Sequence, residues 1–150
     1  MAKQNAPSPK FFDPVILRKS MIIDSGFALN NRHLPLPSIV ELSSSGTCNR
    51  TCVFCPRSDP AYPDIEEFMP PELTEKLGLQ LAAAHFSGLV IFSGFVEPLL
   101  DKKIFDHIAI LRNYLPEAQI EIVTNGDVLN EERLNRLFDS GLSTLLISVY

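Results

Sequence analysis

The stretch "GLVIFSGFVEPLLDKKIFDHIAILRNYLPEAQIEIVTNG", residues 88–126, decides the fold. Its first segment, "GLVIFSG", is short, continuously apolar and bounded by glycines, as a strand buried on both faces is. Asp101 then offers a helix N-cap, and Ile104, Phe105, Ile108 and Leu111 recur at the spacing of one inward helical stripe. "AQIEIVTNG" is a second strand that runs into a turn. Strand, helix and strand in that order predict two parallel strands joined by a right-handed crossover.

The same alternation extends in both directions. Toward the C-terminus, "NEERLNRLFDSG" has Asn130 as cap, two acids in its first turn, Leu134, Leu137 and Phe138 as its inner face, and Gly141 as terminator. "STLLISVY" is a fourth strand. Toward the N-terminus, a helix is expected at 71–85, with Pro70 and Pro71 at its first turn. Leu73, Leu77 and Leu81 mark its inner face, and Gly78 weakens it. Ile39, Val40 and Leu42 form a short strand before it. The order is β-α-β-α-β-α-β, an α/β chain with a parallel sheet. A complete (β/α)8 barrel takes about 250 residues. Residues 37–150 therefore read as a partial TIM-like barrel, its first four strands and three helices, cut at the apolar fourth strand that Tyr150 closes. A fragment, or a chain completed by a partner, is expected. Residues 1–36 precede it as an extension, polar and frayed over 1–10 and packed on the domain beyond, with Pro14 and Pro35 as breaks.

Composition bounds the function. The 150 residues are 45% hydrophobic and 21% charged, which is a globular composition. A net charge of -5, with no basic stripe, argues against a nucleic-acid partner. The N-terminus lacks the apolar core of a signal peptide, and the most apolar run, 81–100, is broken by His85 and Glu97, so no membrane span is expected. The expected location is the cytoplasm.

All 3 cysteines of the chain, Cys48, Cys52 and Cys55, fall in "SSSGTCNRTCVFCPRSDP", residues 43–60. An odd number at such short spacing fits a reducing compartment and a metal role better than disulfides. Intervals of three and two residues let three thiolates converge on one centre. A cubane iron–sulfur cluster is normally held by four cysteines. With three, one iron stays open to an outside ligand, and an open position marks a catalytic metal site.

The pattern C-x3-C-x-F-C resembles the cluster motif of the radical S-adenosylmethionine (radical SAM) enzymes. The resemblance implies a [4Fe-4S] cluster on Cys48, Cys52 and Cys55, with S-adenosylmethionine chelating the fourth iron through its amino and carboxylate groups. It implies that the reduced cluster cleaves the sulfonium to a 5′-deoxyadenosyl radical, which takes a hydrogen atom from a substrate the sequence does not specify. A reductant such as flavodoxin or ferredoxin would supply the electron. Phe54 corresponds to the family's aromatic residue near the adenine. "FSGFVEPLL" resembles the family's Gly-Gly-Glu-Pro-like segment, with Gly94, Glu97 and Pro98 as counterparts and Val96 standing where many members have glycine. On this likeness Glu97 contacts the methionine amino group. Asn125, in Thr124-Asn125-Gly126, and Ser148, in the fourth strand, correspond to positions near cofactor and substrate. Cys55-Pro56 resembles members whose C-terminal extension binds further clusters (the SPASM type).

Plainer readings stand beside these. A zinc site could recruit His33, His85 or His107 as fourth ligand, giving a non-catalytic zinc or iron–sulfur electron-transfer module. Glu97 could be a helix N-terminal acid, Thr124-Asn125-Gly126 only a turn, and Ser148 a serine in a buried strand. Ser43, Ser44 and Ser45 could hydrogen-bond cluster sulfurs or be solvated. Arg50 and Arg57 could offset cluster charge or face water, and water is expected for at least one.

Overall fold

The computed structural model describes residues 36–149. The extension expected over 1–36 lies outside them but for its last residue, as do His33 and Tyr150. Four strands and three helices alternate: β1 (Ile39–Leu42), α1 (Pro71–Ala83), β2 (Leu89–Phe92), α2 (Ile104–Tyr114), β3 (Gln119–Thr124), α3 (Glu131–Asp139) and β4 (Thr144–Ile147). Short 3₁₀ turns at Pro56–Ser58 and Pro98–Leu100 lie in the loops after β1 and β2. The sheet order is β1-β2-β3-β4 with every pairing parallel, as the alternation predicts.

Register shows how the sheet divides its side chains. Leu42, Phe92, Ile122 and Leu145 stand in one row across the four strands. They join Ile104, Ile108, Leu111 and Leu137 in the core between sheet and helices. The neighbouring row, Glu41, Ile91, Glu121 and Thr144, turns to the opposite face because successive side chains alternate. All of β2 is buried, which explains its unbroken apolar sequence.

Three helix details depart from the sequence pattern. The inner face of α1 is Thr74, Gly78 and Leu81, whereas Leu73 is 51% exposed. Gly78 sits on that face because α1 and α2 nearly touch there: a Cβ at Gly78 would lie 3.0 Å from the Tyr114 ring. Helix α2 begins at Ile104, not at Asp101, because Pro98–Leu100 takes up a 3₁₀ turn first. Asp101 accepts from the Lys103 amide at 2.8 Å within that lead-in. Phe138 of α3 is 47% exposed, and Leu137 alone of that helix is fully buried. The ends of α3 follow expectation. Asn130 Oδ1 accepts from the Arg133 amide at 2.8 Å, and Gly141 takes φ +104° after the last turn.

His107 is fully buried on α2 and knits three elements together. Its Nδ1 lies 2.7 Å from Thr74 Oγ1 on α1. Its Nε2 lies 3.1 Å from Asp101 Oδ2, an approach out of line for a hydrogen bond.

Candidate active site

The loop after β1 is fixed before it reaches the cysteines. Gly46 donates its amide to Glu67 O at 2.8 Å, and Ser44 O accepts from the Met69 amide at 2.8 Å. A Cβ at Gly46 would lie 2.3 Å from Ile65 O, so only glycine fits against this returning segment. Ser43 Oγ donates to Ser93 O, Ser45 Oγ bonds Thr47, and Ser44 Oγ is buried with no hydrogen-bond partner among the described residues. All three serines line a groove beside the cysteines rather than the cysteine cavity.

The cysteine loop itself closes in successive tight turns. The Cys55 amide donates to Cys52 O at 2.9 Å, and the Ser58 amide to Cys55 O at 2.9 Å. The three thiols are free and half-buried. Arg57, in the 3₁₀ turn that follows, is buried rather than solvated. It donates to Gly46 O and Phe95 O at 3.3 and 3.2 Å, pairs with Asp64, and lies 5.4 Å from the centre of the Tyr62 ring.

The ends of β2 and β3 form the facing wall. Gly94 has φ +112°, and a Cβ there would lie 2.6 Å from Ser43 Oγ, so this position requires glycine. Val96 takes no positive φ, so a β-branched side chain sits there without strain. Glu97 is 1% exposed. Its Oε1 accepts from the Leu99 amide at 3.0 Å and from Thr124 Oγ1 at 2.6 Å, and its Oε2 accepts from the Asn125 amide at 2.8 Å. The carboxylate thus caps the 3₁₀ turn, which joins the plainer sequence reading, and also fixes the exit of β3, which no local pattern announces.

Asn125 carries that order into the cysteine loop. Its Nδ2 donates to Asn49 Oδ1 at 2.8 Å and stands 3.9 Å from Cys48 Sγ. Its Oδ1 accepts from the Asp127 amide at 2.9 Å. The Asp127 carboxylate accepts from Asn49 Nδ2 at 3.1 Å and from Arg50 Nε at 2.7 Å, and Arg50 Nη2 binds its other oxygen. The hydrogen bond between them raises the Arg50 pKa and lowers that of Asp127. Arg50 is therefore paired, not merely solvated. Sequence reasoning missed Asn49 and Asp127, whose partners lie far away along the chain.

One cavity of about 130 Å³ gathers these parts at the C-terminal ends of the strands. Cys48, Cys52, Cys55, Phe54, Gly94, Glu97, Asn125 and Ser148 all line it, so the three cysteines share one space with the residues that the resemblance placed near the cofactor. Ser148 lies just past β4, its amide donating to Thr124 O at 2.8 Å. Three free thiols on one wall suit a cubane, which spreads its thiolates over separate irons. They suit a single ion less: among the described residues no three His, Cys, Asp or Glu side chains gather as one ion needs. Neither His85 nor His107 lines the cavity.

The chain carries a three-cysteine loop at the C-terminal rim of a parallel (β/α) sheet, and the family model described as the Radical SAM superfamily matches residues 42–150. The chain belongs to that superfamily, whose cofactors are a [4Fe-4S] cluster and S-adenosylmethionine. It is 35% identical over 111 residues to the S-adenosyl-L-methionine-dependent 2-deoxy-scyllo-inosamine dehydrogenase of Niallia circulans, covering 74% of this chain and 44% of the relative. The crystal structure of BtrN in complex with AdoMet and 2-DOIA superposes with a TM-score of 0.70 at 35% identity, over 75% of this chain and 45% of that one. Selenomethionine BtrN in an open conformation gives a TM-score of 0.67 at 35% identity, over 75% of this chain and 50% of that one. The chain thus spans about half the length of the relatives it matches or less. Among the described residues no helix is long and apolar enough to cross a membrane.

Proposed function

We propose that this chain is the cofactor-binding part of a radical SAM enzyme that removes a hydrogen atom from an alcohol-bearing substrate. The observation that supports it is the single cavity shared by three free cysteines, Phe54, Gly94, Glu97, Asn125 and Ser148. When bound, the cluster and S-adenosylmethionine supply one-electron cleavage of a sulfonium and a primary carbon radical. The chain's own residues hold and orient. Cys48, Cys52 and Cys55 ligate the cluster. Phe54, 60% exposed at the cavity edge, offers a flat apolar face to the adenine. Gly94 keeps a side chain out of the methionine end. Glu97 holds the amides of Leu99 and Asn125 and the Thr124 hydroxyl, so its effect on the cofactor passes through the strand ends. A flavodoxin- or ferredoxin-type reductant in the cytoplasm delivers the electron. The first substrates to assay are 2-deoxy-scyllo-inosamine and related amino-substituted cyclic polyols, after the relative's name.

Anaerobic reconstitution with iron and sulfide tests the reading. The expected product is a brown protein whose reduced-cluster EPR signal changes on adding S-adenosylmethionine and which then releases 5′-deoxyadenosine. Stoichiometric zinc with no such change would favour the non-catalytic module instead.

A further inference from the structure

The cysteine loop is tied to the β3 exit by charge as well as by hydrogen bonds. Asn49 and Arg50 lie between Cys48 and Cys52, and both bind the Asp127 carboxylate. Arg50 stands two residues along the chain from each of Cys48 and Cys52. It also lines the same cavity as the three cysteines. The pair stands at the open side of the cavity, its side chains 35% and 37% exposed, so added salt weakens its effect and low ionic strength shows it best. Each charge therefore acts on whatever occupies the cysteines, and the two act in opposite senses.

We propose that Asp127 is a positioning residue for the cluster loop and that, by cancelling the charge of Arg50, it keeps the cluster strongly reducing. This rests on the cluster assignment to Cys48, Cys52 and Cys55. Reduction adds an electron to the cluster. An uncompensated cation beside it stabilises the reduced form and raises the reduction potential, and an uncompensated anion lowers it. Cleaving a sulfonium needs a strongly reducing centre, so a bare guanidinium two residues from each of two ligands would oppose the chemistry. Arg50 is kept for its bidentate grip on Asp127, which a point charge could not reproduce. Asp127 supplies both the acceptor geometry and the neutralising charge.

The test is an EPR-monitored redox titration of the anaerobically reconstituted holoprotein at low ionic strength, with iron and sulfide counted for each variant. Asp127→Asn should move the cluster midpoint upward, Arg50→Gln should move it downward, and the double variant should return close to wild type. Equal midpoints, or shifts of both single variants in the same direction, overturn the proposal and leave the cluster assignment standing. If Asp127→Asn holds no cluster, Arg50→Gln and the double variant decide: an Arg50→Gln midpoint at or above wild type overturns it. A wild-type chain that takes up no cluster overturns the assignment itself, and this proposal with it.

Discussion

Glu97 shows how one residue links sequence, fold and site. A carboxylate that is 1% exposed and accepts from three donors does not tolerate replacement by its amide. In Glu97→Gln, the remaining oxygen satisfies Leu99 and Thr124, and the new amino group meets the Asn125 amide head-on. The Asn125 amide and the new amino group are both left without an acceptor, which costs at least about 1–3 kcal/mol. Urea denaturation of the apoprotein should show a loss in that range, and a variant as stable as wild type would contradict this account. At this scale the gathering of the three cysteines in one loop was legible because it depends only on short spacing. That Gly94, Glu97 and Asn125 line the same cavity was legible through the resemblance. Asn49, Asp127 and the burial of Arg57 were not, because their meaning comes from partners on other loops, such as Asn125 for Asn49 and Phe95 for Arg57.

Strands were easier to read than helix faces. A strand covered on both sides must be apolar throughout, and β2 is. In α1, Leu77 and Leu81 pack on the core as the pattern predicts, but Leu73 is exposed and Gly78 takes a buried place, since pattern counting rewards large apolar residues and ignores a glycine used for close approach. Phe138 misled in the same way. Gly78 makes the point testable. Glycine in a helix interior costs about 1 kcal/mol relative to alanine. Yet a Cβ there would lie 3.0 Å from Cδ2 and 3.2 Å from Cβ of Tyr114, so the α2 backbone itself would have to yield. Overpacking of that kind costs about 1–3 kcal/mol and should outweigh the propensity gain. Gly78→Ala should therefore destabilise the wild type, and by less in a Tyr114→Ala background, which removes the ring contacts but keeps the Cβ at 3.2 Å. Thermal unfolding of the four proteins checks the difference, and an equal effect in both backgrounds would show that the Tyr114 ring does not press on Gly78.

Across the whole molecule, the cavity has no element of its own: β1 supplies the cysteine loop, β2 the Gly94–Glu97 wall, β3 Asn125 and β4 leads to Ser148. A ligand there bridges four strand ends and binds only the folded arrangement, so it stabilises the fold by mass action. The gain is about 2.7 kcal/mol at a hundredfold excess over Kd. If the open iron is the anchor for the methionine end, that gain depends on the cluster. S-Adenosylmethionine should raise the Tm of the reconstituted protein by several degrees and leave the apoprotein nearly unchanged, and Cys52→Ala should behave as the apoprotein does. Calorimetry under anaerobic conditions reads all three. An equal rise in apo and holo forms would place the cofactor's main hold on the protein walls around Phe54 and Gly94, and the cysteines would then serve the electron rather than the binding.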